Sequence, residues 1–264
     1  MAPPNSELWL MRDAQSLDLM NRFPLAQYLS ESEMAHGLSC TEEVRTRYWA
    51  TRLSLRLIIG RHTGHSPVDL RFGRTLMGKP FLKSPAMPLG FSVSHTPGMA
   101  AILVSSASDC GVDIQAHNAM NESKETAVTR AVAHRERDIL AQCDPGQRRQ
   151  ACVDLWSLKE AVIKCAGIGL GCPLDSFEFD DWRAARNTNQ AISPEFEADF
   201  PGAEGHWGCW LWNMGACSLS AALRDDAGPP FSAPRMIEVE PLFKDWFEVK
   251  ELHGVCPTHT IEAA

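Results

Sequence analysis

No two cysteines fall at C-x-x-C spacing, and the nine in the chain are an odd number. Most sit inside apolar runs, as Cys152, Cys165 and Cys217 do. That pattern fits reduced, mostly buried thiols and argues against a disulfide framework. An excess of basic residues is missing too: 33 acids stand against 25 bases, for a net charge of -8. Sequence-independent nucleic-acid binding rests on clustered Lys and Arg, so no nucleic-acid partner is expected, though a local basic groove stays open. No run approaches the roughly 18 apolar residues of a membrane span. The segment MAPPNSELWLMRDAQ lacks a basic start followed by a long apolar core, so no signal peptide is expected; the reduced thiols point to a cytoplasmic protein, and a monomer is expected. Internal repeats and low-complexity segments are not evident. What remains is an ordinary globular balance over 264 residues, 44% hydrophobic and 22% charged, with material for one large core or two small ones.

Residues 43–60 read as a helix, with Leu53, Leu55, Leu57, Ile58 and Ile59 apolar and Arg45, Arg47, Arg52 and Arg56 on a basic side; Gly60 is the expected stop. A short strand is expected over 67–72 and a turn at Gly78-Lys79-Pro80. Residues 91–95, 99–104 and 110–114 read as three strands of an antiparallel meander. One helix is expected over 125–143, ended near Asp144-Pro145-Gly146, and another from about Arg149 to Ala166, stopped by Gly167, Gly169 and Gly171. Strands are expected at 177–179, 206–212 and 217–223, and Gly228-Pro229-Pro230 suggests a linker. Helices and antiparallel strands in blocks indicate an α+β fold.

Three constellations could carry chemistry. In Gly111-Val112-Asp113-Ile114-Gln115, strand alternation sends Val112 and Ile114 to the core and Asp113 and Gln115 to the other face, where, taken alone, a solvated strand face explains them better than a site does. In Trp156-Ser157-Leu158-Lys159-Glu160-Ala161-Val162-Ile163-Lys164, Leu155, Leu158, Val162 and Cys165 form one apolar stripe, and Glu160 and Lys164 are helix neighbours elsewhere. An exposed pair there would be worth only ~0.3–0.5 kcal/mol. Trp156 and Ile163 flank Glu160, however, so that face is covered as well, and bound metal and phosphate would give the two charges partners. Both readings stay open on the residues alone. In Phe91-Ser92-Val93-Ser94-His95-Thr96, a strand ends in polar groups before a Pro-Gly turn, where His95 is structural, simply exposed or a phosphate contact. His62-x-x-His65 has no cysteine or carboxylate at metal spacing and reads as loop rather than zinc. Trp207, Trp210 and Trp212 read as packing within a strand.

Taken together, FSVSHT at 91–96, GVDI at 111–114, WSLKEAVIK at 156–164 and GLGCPLDSFEF at 169–179, preceded by Gly-Lys-Pro at 78–80, resemble the long, Sfp-type 4'-phosphopantetheinyl transferases. The resemblance spans residues 43–223. It implies two pseudo-symmetric lobes, 1–109 and 110–224, each with a small mainly antiparallel sheet and a long helix, and a tail of unclear role at 225–264. It implies Mg²⁺-dependent transfer of the phosphopantetheine arm of coenzyme A to a serine of an acyl or peptidyl carrier protein, in fatty acid, polyketide or nonribosomal peptide synthesis. Asp113 and Glu160, with Gln115, would hold the metal; Glu160 would also activate the serine and Lys164 would hold the attacked phosphate. Ser94 and His95 would contact the nucleotide phosphates, with Arg47 and Lys79 near the ribose phosphate and adenine.

The chain departs from the family in two places. Many relatives carry an acid where Gln115 stands, so this site would lean on Asp113, Glu160 and the nucleotide. The region 31–43 is acidic where relatives are often basic. These departures keep alive a non-catalytic relative that binds coenzyme A or a carrier protein; a Mg²⁺-dependent phosphohydrolase acting on a nucleotide diphosphate is a separate, weaker rival.

Overall fold

Each of two 22-residue helices ends on a glycine whose positive φ only an achiral residue adopts freely: Gly64 (φ 69°) after Glu42–Thr63 and Gly167 (φ 72°) after Pro145–Ala166. Around them the computed structural model describes residues 6–106, 109–169, 171–226 and 232–239. The chain runs through one order of elements twice. The first pass is β1 (Ser6–Arg12), α1 (Asp13–Arg22), α2 (Leu25–Tyr28), α3 (Glu31–Leu38), α4 (Glu42–Thr63), a hairpin of β2 (Arg71–Arg74) and β3 (Pro80–Ser84), then β4 (Gly90–Thr96) and β5 (Met99–Ser105). The second is β6 (Asp109–Ala116), α5 (Glu122–Ala131), α6 (His134–Ala141), α7 (Pro145–Ala166), a short pair β7 (Phe177–Glu178) and β8 (Glu195–Phe196), then β9 (His206–Asn213) and β10 (Cys217–Asp225). In each pass the first strand pairs antiparallel with the last, and the last with the one before it: β1-β5-β4 and β6-β10-β9. A final strand, β11 (Arg235–Glu238), adds in parallel to the free edge of β1. The fold is α+β, as the sequence pattern indicates.

One apolar core packs α4 against the first sheet, a second packs α7 against β9 and β10, and a third fills the space between the sheets with Leu8, Leu103, Val112, Ile114 and Trp210. The sheets are stitched together by hydroxyls. Ser92, Ser94 and Thr96, alternate residues of β4, accept the N–H groups of Val112 (3.1 Å), Ile114 (3.2 Å) and Ala116 (3.0 Å), alternate residues of β6. These bonds satisfy the edge of β6 that faces away from β10.

Helix α7 lies so close over β6 that a Cβ on Gly111 would stand 2.0 Å from the Ala161 carbonyl oxygen and 2.5 Å from the Cys165 nitrogen. It also carries a fully buried ion pair. Lys159 Nζ lies 2.8 Å from Glu136 Oε2 and donates to the carbonyls of Leu174 and Phe177, while Glu136 accepts from the N–H groups of Ala133 and Phe179. Burial raises the Glu136 pKa and lowers that of Lys159, and each partner's charge opposes the shift.

Several expectations are corrected. Helix α4 runs past Gly60, which is needed inside it because a Cβ there would meet His65 and Pro67; Gly64 ends it. Pro67 lies in a turn, and the strand comes later, at Arg71–Arg74. The meander is broken, since β6 leaves β5 to pair with β10 in the other sheet. The helix expected over 125–143 is two, because the backbone is extended at Val132 and Ala133 and the Glu136 carboxylate caps a new start. Helix α7 begins at Pro145, where the missing N–H costs nothing. His62 lies in α4 and contacts Glu7 at 3.0 Å. The linker expected at 228–230 falls outside the described residues.

Two stability outcomes are expected. Gly111→Ala should cost about 3 kcal/mol in chemical denaturation, because the contacts it would make are to backbone. The second concerns Glu33. Burial would raise its pKa, but Arg52, the Ser30 N–H and Arg56 outweigh it and hold the group down at about 2 against an ordinary 4.5. A depressed folded-state value stabilises fully above 4.5 and is lost as pH falls towards 2. Thermal melts across that window should show a steeper loss in the wild type than in Glu33→Gln.

Candidate functional site

Where β4, β6 and α7 meet, polar groups collect that the packing alone does not require. Asp113, on β6, is 1% exposed. The solvated strand face is thereby overturned: α7 covers it, and Ser157 donates to the Asp113 carbonyl (3.1 Å). The Asp113 carboxylate receives three donors. Lys164 Nζ (2.6 Å) and Ser94 Oγ (2.8 Å) reach Oδ1, and Gln115 Nε2 (3.0 Å) reaches Oδ2. Lys164 also donates to the Val112 carbonyl and to Ser94 Oγ. It therefore crosses to β6 instead of closing the i,i+4 pair with Glu160.

Glu160 is 6% exposed and makes no hydrogen bond among the described residues. Its pKa is raised, first by burial and then by the charge of Asp113, with Lys164 opposing. A buried carboxylate without a donor, beside a second carboxylate, is stabilised by a cation. Hard oxygen donors from two acids suit Mg²⁺, which keeps several waters and commonly takes only one or two carboxylates. Among the described residues no cluster of three His, Cys, Asp or Glu could hold a metal. The oxygens such a cation could use would be those of Asp113 and Glu160, with the amide of Gln115, whose nitrogen donates to Asp113, beside them.

Other site residues named from the sequence lie around this centre. Ser94 is inside it. His95 is exposed, and its pKa is lowered by the protein around it and then by the charges of Arg47 and Lys164. Arg47 is buried in a two-point contact with Asp13 (3.0 and 2.7 Å) and also reaches Glu43; Asp13 in turn accepts the Gly98 N–H in the β4–β5 turn. Lys79 donates to the Cys165 carbonyl (2.7 Å), in the last turn of α7, and to Asp109 (2.8 Å). A cleft of about 300 Å³ opens beside Glu160 and Lys164, walled by Met77, Lys79, Phe91 and Ile163.

Sequence reasoning did not identify a second cavity. It measures about 680 Å³ and is lined by Arg52, Arg56, Arg74, His36 and Tyr48, with Glu33 at its wall and Phe72 under the guanidinium groups of Arg52 and Arg56. Pro80 borders both this cavity and the cleft. The signal was present in the basic side of α4. Arg52 and Arg56 are one turn apart and face the β2–β3 hairpin, whereas Arg47 faces Asp13.

Residues 109–211 match the sequence model of the 4'-phosphopantetheinyl transferase superfamily. A 4'-phosphopantetheinyl transferase of Bacillus subtilis is 32% identical over 124 residues, 47% of this chain and 53% of that protein. The 4'-phosphopantetheinyl transferase Sfp of Bacillus subtilis strain 168 is 33% identical over the same shares. The 4'-phosphopantetheinyl transferase HetI of Nostoc sp. is 29% identical over 181 residues, 64% of this chain and 74% of that protein. The chain thus spans about half the length of the two Bacillus relatives. A solved structure described as an ACPS-CoA complex from Chronobacterium ammoniagenes covers 45% of this chain and 97% of its own at 14% identity, with a TM-score of 0.38; a likeness that low carries no argument. The segment that builds the two-carboxylate site is also the segment that resembles the 4'-phosphopantetheinyl transferase superfamily.

Proposed function

We propose that this protein transfers the 4'-phosphopantetheine arm of coenzyme A to a serine hydroxyl of an acyl or peptidyl carrier protein, using Mg²⁺. The observation that carries the proposal is the buried pair Asp113 and Glu160, with Lys164 beside them, within the segment that matches the superfamily. Two lobes, 1–109 and 110–224, would hold the coenzyme between them.

In the transfer, the serine oxygen bonds to the phosphorus that carries the pantetheine arm. The bond from that phosphorus to the bridging oxygen of the diphosphate breaks, and adenosine bisphosphate leaves. Serine is a weak nucleophile and needs a base. Glu160 suits that role because a raised pKa makes a carboxylate a stronger proton acceptor. Lys164 would hold the attacked phosphate and counter the charge that grows on the leaving diphosphate. Ser94 and His95 would meet phosphate oxygens. Arg47 and Lys79 would mark the nucleotide end, with the arginine-lined cavity next to Pro80 supplying positive charge for a further phosphate. Mg²⁺, held by Asp113 and Glu160 with Gln115 near, would neutralise diphosphate charge when bound.

Two experiments test this reading. Apo carrier proteins incubated with the protein, coenzyme A and Mg²⁺ should gain one phosphopantetheine by mass spectrometry. The gain should vanish with EDTA and return with Mg²⁺; full transfer in metal-free buffer contradicts the mechanism, and coenzyme binding without transfer to any carrier favours a binding-only protein. Gln115→Glu should lower the Mg²⁺ concentration for half-maximal rate without abolishing turnover, because a carboxylate attracts the cation more strongly than an amide does. A titration of rate against Mg²⁺ decides it.

A further inference from the structure

Asp113 is occupied from within. Both of its carboxylate oxygens are bound, by Lys164 and Ser94 on one and by Gln115 on the other. Glu160, the second acid, has no donor among the described residues. Lys164 therefore cancels one of the two negative charges that a cation would need, and it does so in direct contact with one of the two carboxylates.

We propose that Lys164 is an internal counter-ion that makes metal binding at Asp113 and Glu160 conditional on the anionic coenzyme. This rests on the metal reading given under Proposed function. A divalent cation arriving alone meets a net charge of one and must displace a bound ammonium. When a diphosphate arrives, its oxygens offer that ammonium another anion. The Lys164 side chain is 31% exposed, and its flexible stem can leave Asp113 for a phosphate in the neighbouring cleft. Asp113 is then released to the cation, and cation and diphosphate bind with positive coupling. By linkage, the metal raises coenzyme affinity by the same factor that the coenzyme raises metal affinity. Ser94 would accompany the exchange, since its hydroxyl contacts both Lys164 and Asp113.

The test measures metal binding without turnover. Mn²⁺ binding is followed by electron paramagnetic resonance on wild type, Lys164→Met and Lys164→Arg, each alone and with saturating coenzyme A, in the absence of carrier protein. Wild type should bind Mn²⁺ weakly alone and about ten-fold more tightly with coenzyme A. Lys164→Met should bind Mn²⁺ alone about ten-fold more tightly than wild type, with little further gain from coenzyme A. Lys164→Arg keeps the charge and should keep the weak binding. Thermal unfolding checks each protein, and Lys164→Gln replaces the methionine variant if that one fails to fold. Mn²⁺ affinity and coupling unchanged by loss of the charge would overturn this inference alone. Absence of Mn²⁺ binding in every arm would overturn the metal reading on which it rests.

Discussion

Three hydroxyls on one face of β4 take up three backbone N–H groups of β6, and the geometry of the site follows from that join. An exposed strand edge invites pairing, and a buried unpaired N–H costs about 1–3 kcal/mol. A fourth backbone strand against β6 would solve both problems but would also merge the two sheets into one. Side-chain hydroxyls instead hold β4 at a distance. The middle one, Ser94, has contacts to spare: it accepts from Ile114, touches Lys164 and donates to Asp113. A structural join thus also aims the carboxylate on which the site is built.

The other half of the positioning comes from α7. A helix that is buried nearly all round normally carries only apolar side chains. This one buries Asp154, Ser157, Lys159 and Glu160 as well. Each except Glu160 has a protein partner: Asp154 meets Arg186 and Ser218, Ser157 the Asp113 carbonyl, and Lys159 the Glu136 carboxylate. Those contacts fix the rotation of the helix over the sheet, and Gly111 lets it lie close. Glu160 is the polar residue left over, which is the pattern expected of a group kept for a ligand.

Net charge is a poor guide to such a molecule. The chain carries -8 overall, yet Arg52, Arg56 and Arg74 line a cavity of about 680 Å³, and Lys79 and Lys164 flank the adjoining cleft. Glu33 holds Arg52 and Arg56 together where mutual repulsion would otherwise spread them.

Much of this was legible in the residues. Apolar periodicity placed the long helices, turn formers separated the strands, and alternation put Asp113 and Gln115 on one face. Such features are local: they depend on neighbours one to four positions apart, and the backbone repeats at that range. The chain shows no evident sequence repeat, but its element order recurs, because a repeated topology needs only matching patterns of apolar and turn residues. Only the tertiary structure decided that β6 leaves the meander, that Glu136, the local cap of α6, pairs with Lys159, and that Lys164 chooses Asp113 over Glu160. Each of these depends on groups more than 20 residues apart in the chain. No local pattern encodes such a choice, since it rests on which carboxylate lies nearest once the sheets have packed.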